Sequence, residues 1–298
     1  MFVDTIKEIH IEPTTVCQAE CPMCPRTLQG YHLGQVPNKF LTLASLKDKL
    51  GSVVKDLNKV LFCGTLGEPV ACGDLLDMIA WIKEQSPNCV IGINTNGGVR
   101  DINWWQKLAV LTKDDPRSYV VFSLDGLADT NHIYRKNVDW NKVIENVKAF
   151  TQAGGSAHWD MLVFKHNQHQ VEEAKQYATE LGFRFFRTKV SSRFETNSEL
   201  RPPDNHDEYA EFPYPLSCMA EETKSVYLSA AGLWYPCCFT HMSNETNYDI
   251  DWGKPIEDIS TRHEAWVDLF TPVKKICNRA CATMYNKGQW KNSWELNV

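Results

Sequence analysis

In residues 1–194 six short apolar, β-branched runs alternate with five stretches of helical periodicity, and this alternation limits the fold more than any other feature. The runs are Ile6–Ile11, Lys59–Phe62, Val90–Thr95, Tyr119–Leu124, His158–Phe164 and Arg184–Lys189. The helical stretches are Leu43–Leu57, Asp74–Glu84, Ile102–Leu111, Trp140–Ala153 and Gln168–Leu181. The last, in "NQHQVEEAKQYATELG", opens on polar residues suited to capping and closes on Gly182. Serial βα units predict a parallel sheet wrapped by helices. A closed eight-unit barrel takes about 250 residues, so six units predict an open, partial (β/α)6 barrel of the TIM type.

Polar residues gather where such a fold places its binding face, at the carboxyl ends of the strands. Three cysteines follow the first run, "GTLGEP" the second and "KHNQ" the fifth. "NTNGG" and "SLDG" complete the third and fourth, and "KVSSRF" ends the sixth. Residues 195–217 carry four prolines, many charges and no period, which predicts a linker or lid. Residues 218–298 form a separate C-terminal unit, with a hairpin in "SVYLSAAGLWYPCC" turning near Ala231–Gly232 and a helical segment around Arg262–Phe270.

The stretch "EPTTVCQAECPMCPRT" sets Cys17, Cys21 and Cys24 at spacings of four and three. A zinc site or a simple electron-transfer cluster takes four protein ligands. A zinc knuckle has no fourth ligand here, since His32 lies eight residues on and His10 precedes the strand end. Three ligands leave a position open for chemistry. Eleven cysteines, an odd and dispersed set in a chain without an export signal, point to metal ligation in a reducing compartment rather than to disulfides.

At "CQAECPMC" together with the strand-end motifs, the chain resembles the radical S-adenosylmethionine (SAM) superfamily, in its branch with a SPASM or twitch C-terminal extension. The resemblance implies that Cys17, Cys21 and Cys24 hold a [4Fe–4S] cluster whose fourth iron takes SAM. It implies that the backbone of Gly67, Glu68 and Pro69 receives the SAM amino group. Ser123 and Asp125 would bond the ribose hydroxyls, or else cap the next helix. Asn94 and Asn96 would line the same cleft. Met23, where the family usually has an aromatic residue, would meet the adenine through its carbonyl. Lys165, Asn167, Lys189 and Arg193 read individually as solvated or structural, yet their shared face makes them candidates to contact the SAM carboxylate or the substrate. Cys218, Cys237, Cys277 and Cys281 would close an auxiliary [4Fe–4S] cluster, with Cys238 a rival ligand. Cys63 and Cys89 read as small core residues.

A net charge of −6 offers no basic surface to nucleic acid or an anionic membrane. No run approaches the roughly 20 apolar residues needed to span a bilayer. The start lacks the pattern of a secretory signal, and a cytoplasmic protein is expected. The expected partners are a small molecule or peptide and a one-electron reductant such as flavodoxin or ferredoxin. Because the chain starts at its first strand, a peptide would arrive on a separate partner rather than be gripped by a leader-binding domain. Two rivals are a non-catalytic two-cluster electron-transfer or assembly protein and a radical enzyme acting on nucleic acid.

Overall fold

In a computed structural model describing residues 6–27, 36–191, 193–194, 199–204 and 219–245, parallel strand pairing follows chain order for six strands. These are β1 (Glu8–Ile11), β2 (Lys59–Phe62), β3 (Val90–Thr95), β4 (Tyr119–Ser123), β5 (Ala157–Leu162) and β6 (Phe185–Lys189). Between them lie α1 (Leu43–Leu50), α2 (Leu75–Gln85), α3 (Ile102–Thr112), the short α4 (Asn131–Tyr134), α5 (Trp140–Gln152) and α6 (Val171–Glu180). Then come α7 (Met219–Glu222), β7 (Ser225–Leu228), β8 (Trp234–Tyr235) and α8 (Cys238–Glu245). The expected hairpin is β7–β8, turned at Gly232. Its first strand pairs parallel with β1, so the sheet runs β6-β5-β4-β3-β2-β1-β7-β8. Cys218, the segment Arg262–Phe270, Cys277 and Cys281 lie outside the described residues. Among the described residues, no helix is long and apolar enough to cross a membrane.

Strand alternation sorts the side chains. Val60, Phe62, Ile91, Ile93, Val120, Phe122, Trp159 and Met161 are fully buried. Phe122 meets Trp105 of α3 at 5.1 Å and Phe150 of α5 at 6.0 Å, which identifies the helix-facing side. α5 starts at Asp139, whose side chain accepts from the backbone N–H groups of Asn141 and Lys142, and buries Val143, Val147 and Phe150. Each buried side chain contributes roughly 1.5–3 kcal/mol. The other face of the sheet is polar and carries His10, Asn94, Asp160 and Lys189.

Two helix boundaries differ from expectation for local reasons. The first helix ends at Leu50 rather than Leu57, because Gly51 takes φ +48° and turns the chain into a 3-10 segment, Gly51–Asp56. α6 starts at Val171 after a 3-10 turn, and Asn167 caps nothing there. Its Oδ1 accepts from the Phe164 N–H, and its Nδ2 donates to the carbonyls of Asp125 and Leu162.

His158 is buried on the polar face, stacked on Tyr119 at 4.9 Å and edge-on to Phe185 at 4.7 Å. Burial, and then the charge of Arg184, push its pKa from 6.5 down to about 4. The unfolded chain therefore takes up this proton first as pH falls, and stability drops between about pH 6.5 and 4. From pH 7.5 to 5.0 this one group removes about 2 kcal/mol. Urea unfolding of His158→Phe should show a correspondingly shallower pH dependence than the parent. Parallel curves would remove His158 from the acid response.

Candidate functional site

Glu12 leaves the end of β1 fully buried and ties two loops together. Its Oε1 accepts from the N–H groups of Leu66 (2.5 Å) and Gly67 (3.2 Å), while the Glu68 N–H donates to the Val16 carbonyl at 2.8 Å. The cysteine loop after β1 and the "GEP" loop after β2 thus form one unit. Their approach requires glycine, since a Cβ at Gly67 would lie 1.8 Å from the Thr14 carbonyl oxygen. Glu68 is buried; its Oε1 accepts from the Val70 N–H and its Oε2 from the Asn96 N–H at 2.7 Å, which joins this unit to the end of β3.

Along the cysteine loop, the Cys24 N–H donates to the Cys21 carbonyl at 3.0 Å. Cys21 is buried, Cys17 and Cys24 are half-buried, and all three are free thiols. Two side chains donate to their sulfurs, while Cys17 Sγ itself donates to Gln18 Oε1 at 4.0 Å. Asn96 Nδ2 donates to Cys17 Sγ at 3.8 Å, and its Oδ1 accepts from Gln18 Nε2 and the Gly98 N–H. Arg135 Nη1 donates to Cys21 Sγ at 3.8 Å. Burial, and then the charge of Glu68, push the Cys17 thiol up to about 12. Burial also raises Cys21, to about 11, against the opposing charge of Arg135.

Asp125 neither caps the helix after it nor keeps a free oxygen. Its Oδ2 accepts from Arg135 Nε at 2.6 Å, its Oδ1 from the Leu162 N–H at 2.6 Å, and its own N–H donates to Asn131 Oδ1. Burial alone would lower the Arg135 pKa, but the neighbouring acidic groups, Asp125 first and then Cys21 and Tyr134, together outweigh it and raise the pKa. Sequence reasoning missed Arg135, and only the ten-residue offset from Asp125 within one βα loop offered a signal.

Asn94 at the end of β3 donates to Cys63 Sγ at 3.4 Å. Cys63 is thus half-buried at a strand end, not in the apolar core, because β2 stops at Phe62 and the next residue faces the polar side. Cys89 is fully buried as expected. Ser123 is half-buried at the end of β4. Lys189 and Arg187 share the carboxylate of Asp160, Arg187 through two contacts of 2.9 and 2.7 Å. Lys165 sits apart at the surface, paired with Asp204 at 2.9 Å. Met23 is fully buried, and its carbonyl accepts from Arg193 Nη1 at 3.3 Å. Cys237 and Cys238 are half-buried at the start of α8.

Among the described residues, no three His, Cys, Asp or Glu side chains are grouped tightly enough to hold a single metal ion. Each thiolate on a [4Fe–4S] cube binds a different iron, so such ligands stand further apart than those of one ion. Soft thiols on one loop, with N–H donors already aimed at two sulfurs, fit that donor set.

The model of the "Radical SAM superfamily" matches residues 11–178. The fold is similar to Streptococcus suis SuiB bound to S-adenosylmethionine, with a TM-score of 0.63 at 16% identity. That match covers 89% of this chain and 67% of SuiB. It is also similar to native anSMEcpe with bound AdoMet, with a TM-score of 0.58 at 14% identity over 95% of this chain and 96% of the other. No curated protein matches the chain by sequence. With its cysteine loop, its strand-end loops and more than half its length matched by the family's model, the chain belongs to the Radical SAM superfamily.

Proposed function

We propose that the chain is an enzyme that cleaves SAM reductively and abstracts a hydrogen atom from a small molecule or a peptide. The observation that carries this reading is a three-thiol loop locked to the "GEP" loop by Glu12 and the Glu68 N–H; on a four-iron cluster, three thiols would leave one iron for SAM. A [4Fe–4S] cluster on Cys17, Cys21 and Cys24, when bound and reduced, supplies the electron that splits SAM into methionine and a 5′-deoxyadenosyl radical. The protein's part is to bind, orient and shield. Gly67, Glu68 and Pro69 present backbone to the SAM amino group, Ser123 takes a ribose hydroxyl, and Met23 bounds the adenine. Asn94 and Asn96 line the cleft near Cys63 and Cys17. Asp125 and Asn167 act through the loop ends they hold. Lys189, beside Asp160, lies on the polar face open to the SAM carboxylate or the substrate. Lys165 would join them only by leaving Asp204.

Residues 1–194 would be the core barrel, 195–217 a lid, and 218–298 an auxiliary-cluster unit of the twitch or SPASM kind whose hairpin is pinned to β1. Cys237 stands half-buried at the head of α8, as a ligand there would, and Cys218, Cys277 and Cys281 would complete the set. That cluster would accept an electron from the substrate or position it. A peptide substrate draws support from the solved structures of SuiB bound to precursor peptide SuiA and of anSMEcpe with the Cp18Cys peptide. A flavodoxin or ferredoxin in a reducing cytoplasm would deliver the electrons.

Anaerobically reconstituted protein should contain about eight irons per chain and, once reduced, convert SAM to 5′-deoxyadenosine. About four irons would remove the auxiliary cluster. Stoichiometric zinc with no 5′-deoxyadenosine would remove the proposal.

A further inference from the structure

Arg135 is the one cation whose donor reaches the sulfur of a cysteine in the loop after β1, among the described residues. It follows α4 directly, and its N–H donates to the Asn131 carbonyl. Asp125, itself fixed by the Leu162 N–H, aims the guanidinium at Cys21 Sγ, and Tyr134 lies under it with the guanidinium 5.3 Å from the ring centroid. Only about a sixth of the Arg135 side chain is exposed, and Asp125 is fully buried. Water screens such a pair weakly, so its charges act at close range on whatever the cysteines hold.

We propose that Arg135, oriented by Asp125, is a positioning residue that raises the reduction potential of an iron–sulfur cluster held by Cys17, Cys21 and Cys24. Reduction adds one negative charge beside the sulfurs. A guanidinium 3.8 Å from Cys21 Sγ favours that added charge, and its N–H donates to the sulfur that would carry part of it. The Asp125 carboxylate opposes the effect, but it pairs with Nε, whereas Nη1 is the nitrogen that reaches Cys21 Sγ. The net influence on the cluster is positive. The inference rests on the proposed cluster, and its test separates the two.

The experiment is a redox titration followed by electron paramagnetic resonance, reading the reduced-cluster signal that changes when SAM is added. Arg135→Gln should shift the one-electron equilibrium at least tenfold toward the oxidised form, which is 59 mV or more to the negative side. Arg135→Lys should recover most of the parent potential. Since Arg135→Gln leaves Asp125 buried without its partner, the double variant Arg135→Gln/Asp125→Asn replaces both charges by amides that can still hydrogen-bond. It should also move to lower potential. Parent potentials in the double variant, with the SAM-responsive signal intact, would overturn the role of Arg135. Absence of a SAM-responsive signal from the parent would instead overturn the cluster assignment. A fall in potential equally large in Arg135→Lys would show that shape rather than charge is at work, and would also overturn the proposal.

Discussion

Alanine at Cys17, Cys21 and Cys24 together should reduce 5′-deoxyadenosine formation to background and halve the iron of the reconstituted chain. The three thiols follow β1 on a loop whose backbone is held independently of their sulfurs, by Glu12, by the Glu68 N–H and by the Thr15 N–H, which donates to the Lys39 carbonyl at 3.1 Å. Removing three small side chains, two of them half-buried, therefore costs on the order of 1 kcal/mol each. The melting temperature should fall modestly while the chemistry disappears. A single change, Cys24→Ala, should abolish cleavage as completely, since two thiolates cannot hold a cluster with its free iron in place. Cys237→Ala should leave cleavage measurable and lower product formation. Residual cleavage in the triple variant, or unfolding of Cys24→Ala, would break the separation of scaffold from chemistry.

The βα alternation was legible because each strand and helix carries its own period, and tertiary packing agrees with it. Lys59–Phe62 and Val90–Thr95 form as expected from composition alone. The "GEP" and "NTNG" motifs lie at strand ends and converge on the cysteine loop, as a parallel sheet dictates. What could not be read depends on contacts between distant residues. The sequence marks neither of the groups that hold the Asp125 carboxylate, Arg135 and the Leu162 N–H. Nothing in "DTNHIYRKN" marks its arginine as buried, because the element before it has only four residues and no period. In the sequence Glu12 is a polar residue beside Pro13 with no motif around it. Its burial follows from β2 and β7 flanking β1, and no local window contains that fact. Similarly, the β7–β8 hairpin was visible from its turn, but its parallel pairing with β1 was not. Cys63 was expected in the core, but it follows β2 directly, and the strand alternation that buries Val60 and Phe62 turns it to the polar side, where Asn94 donates to its sulfur.

Gly67→Ala should weaken SAM binding at least a hundredfold, about 2.7 kcal/mol. The added Cβ would stand 1.8 Å from the Thr14 oxygen and 2.6 Å from its carbonyl carbon, where real contacts essentially never fall below 3.0 Å. Both neighbours are backbone, so no rotamer can give way. The loops must part by more than an ångström. That separation breaks the Gly67 N–H bond to Glu12 and the Glu68 N–H bond to Val16, each worth about 1 kcal/mol. It also leaves the buried Glu12 carboxylate with fewer donors, a further cost of roughly 1–3 kcal/mol. The "GEP" backbone then no longer faces the cysteines, and SAM loses its amino-group contacts together with its distance to the open position. Gly73→Ala is the matched control, since a Cβ there meets nothing within 4 Å and its change should stay within about 0.5 kcal/mol. Titrating SAM while following the cluster's absorption, alongside urea unfolding, reads both effects. If Gly67→Ala matches Gly73→Ala in affinity and in stability, the two loops are not locked, and the site is not assembled around their contact.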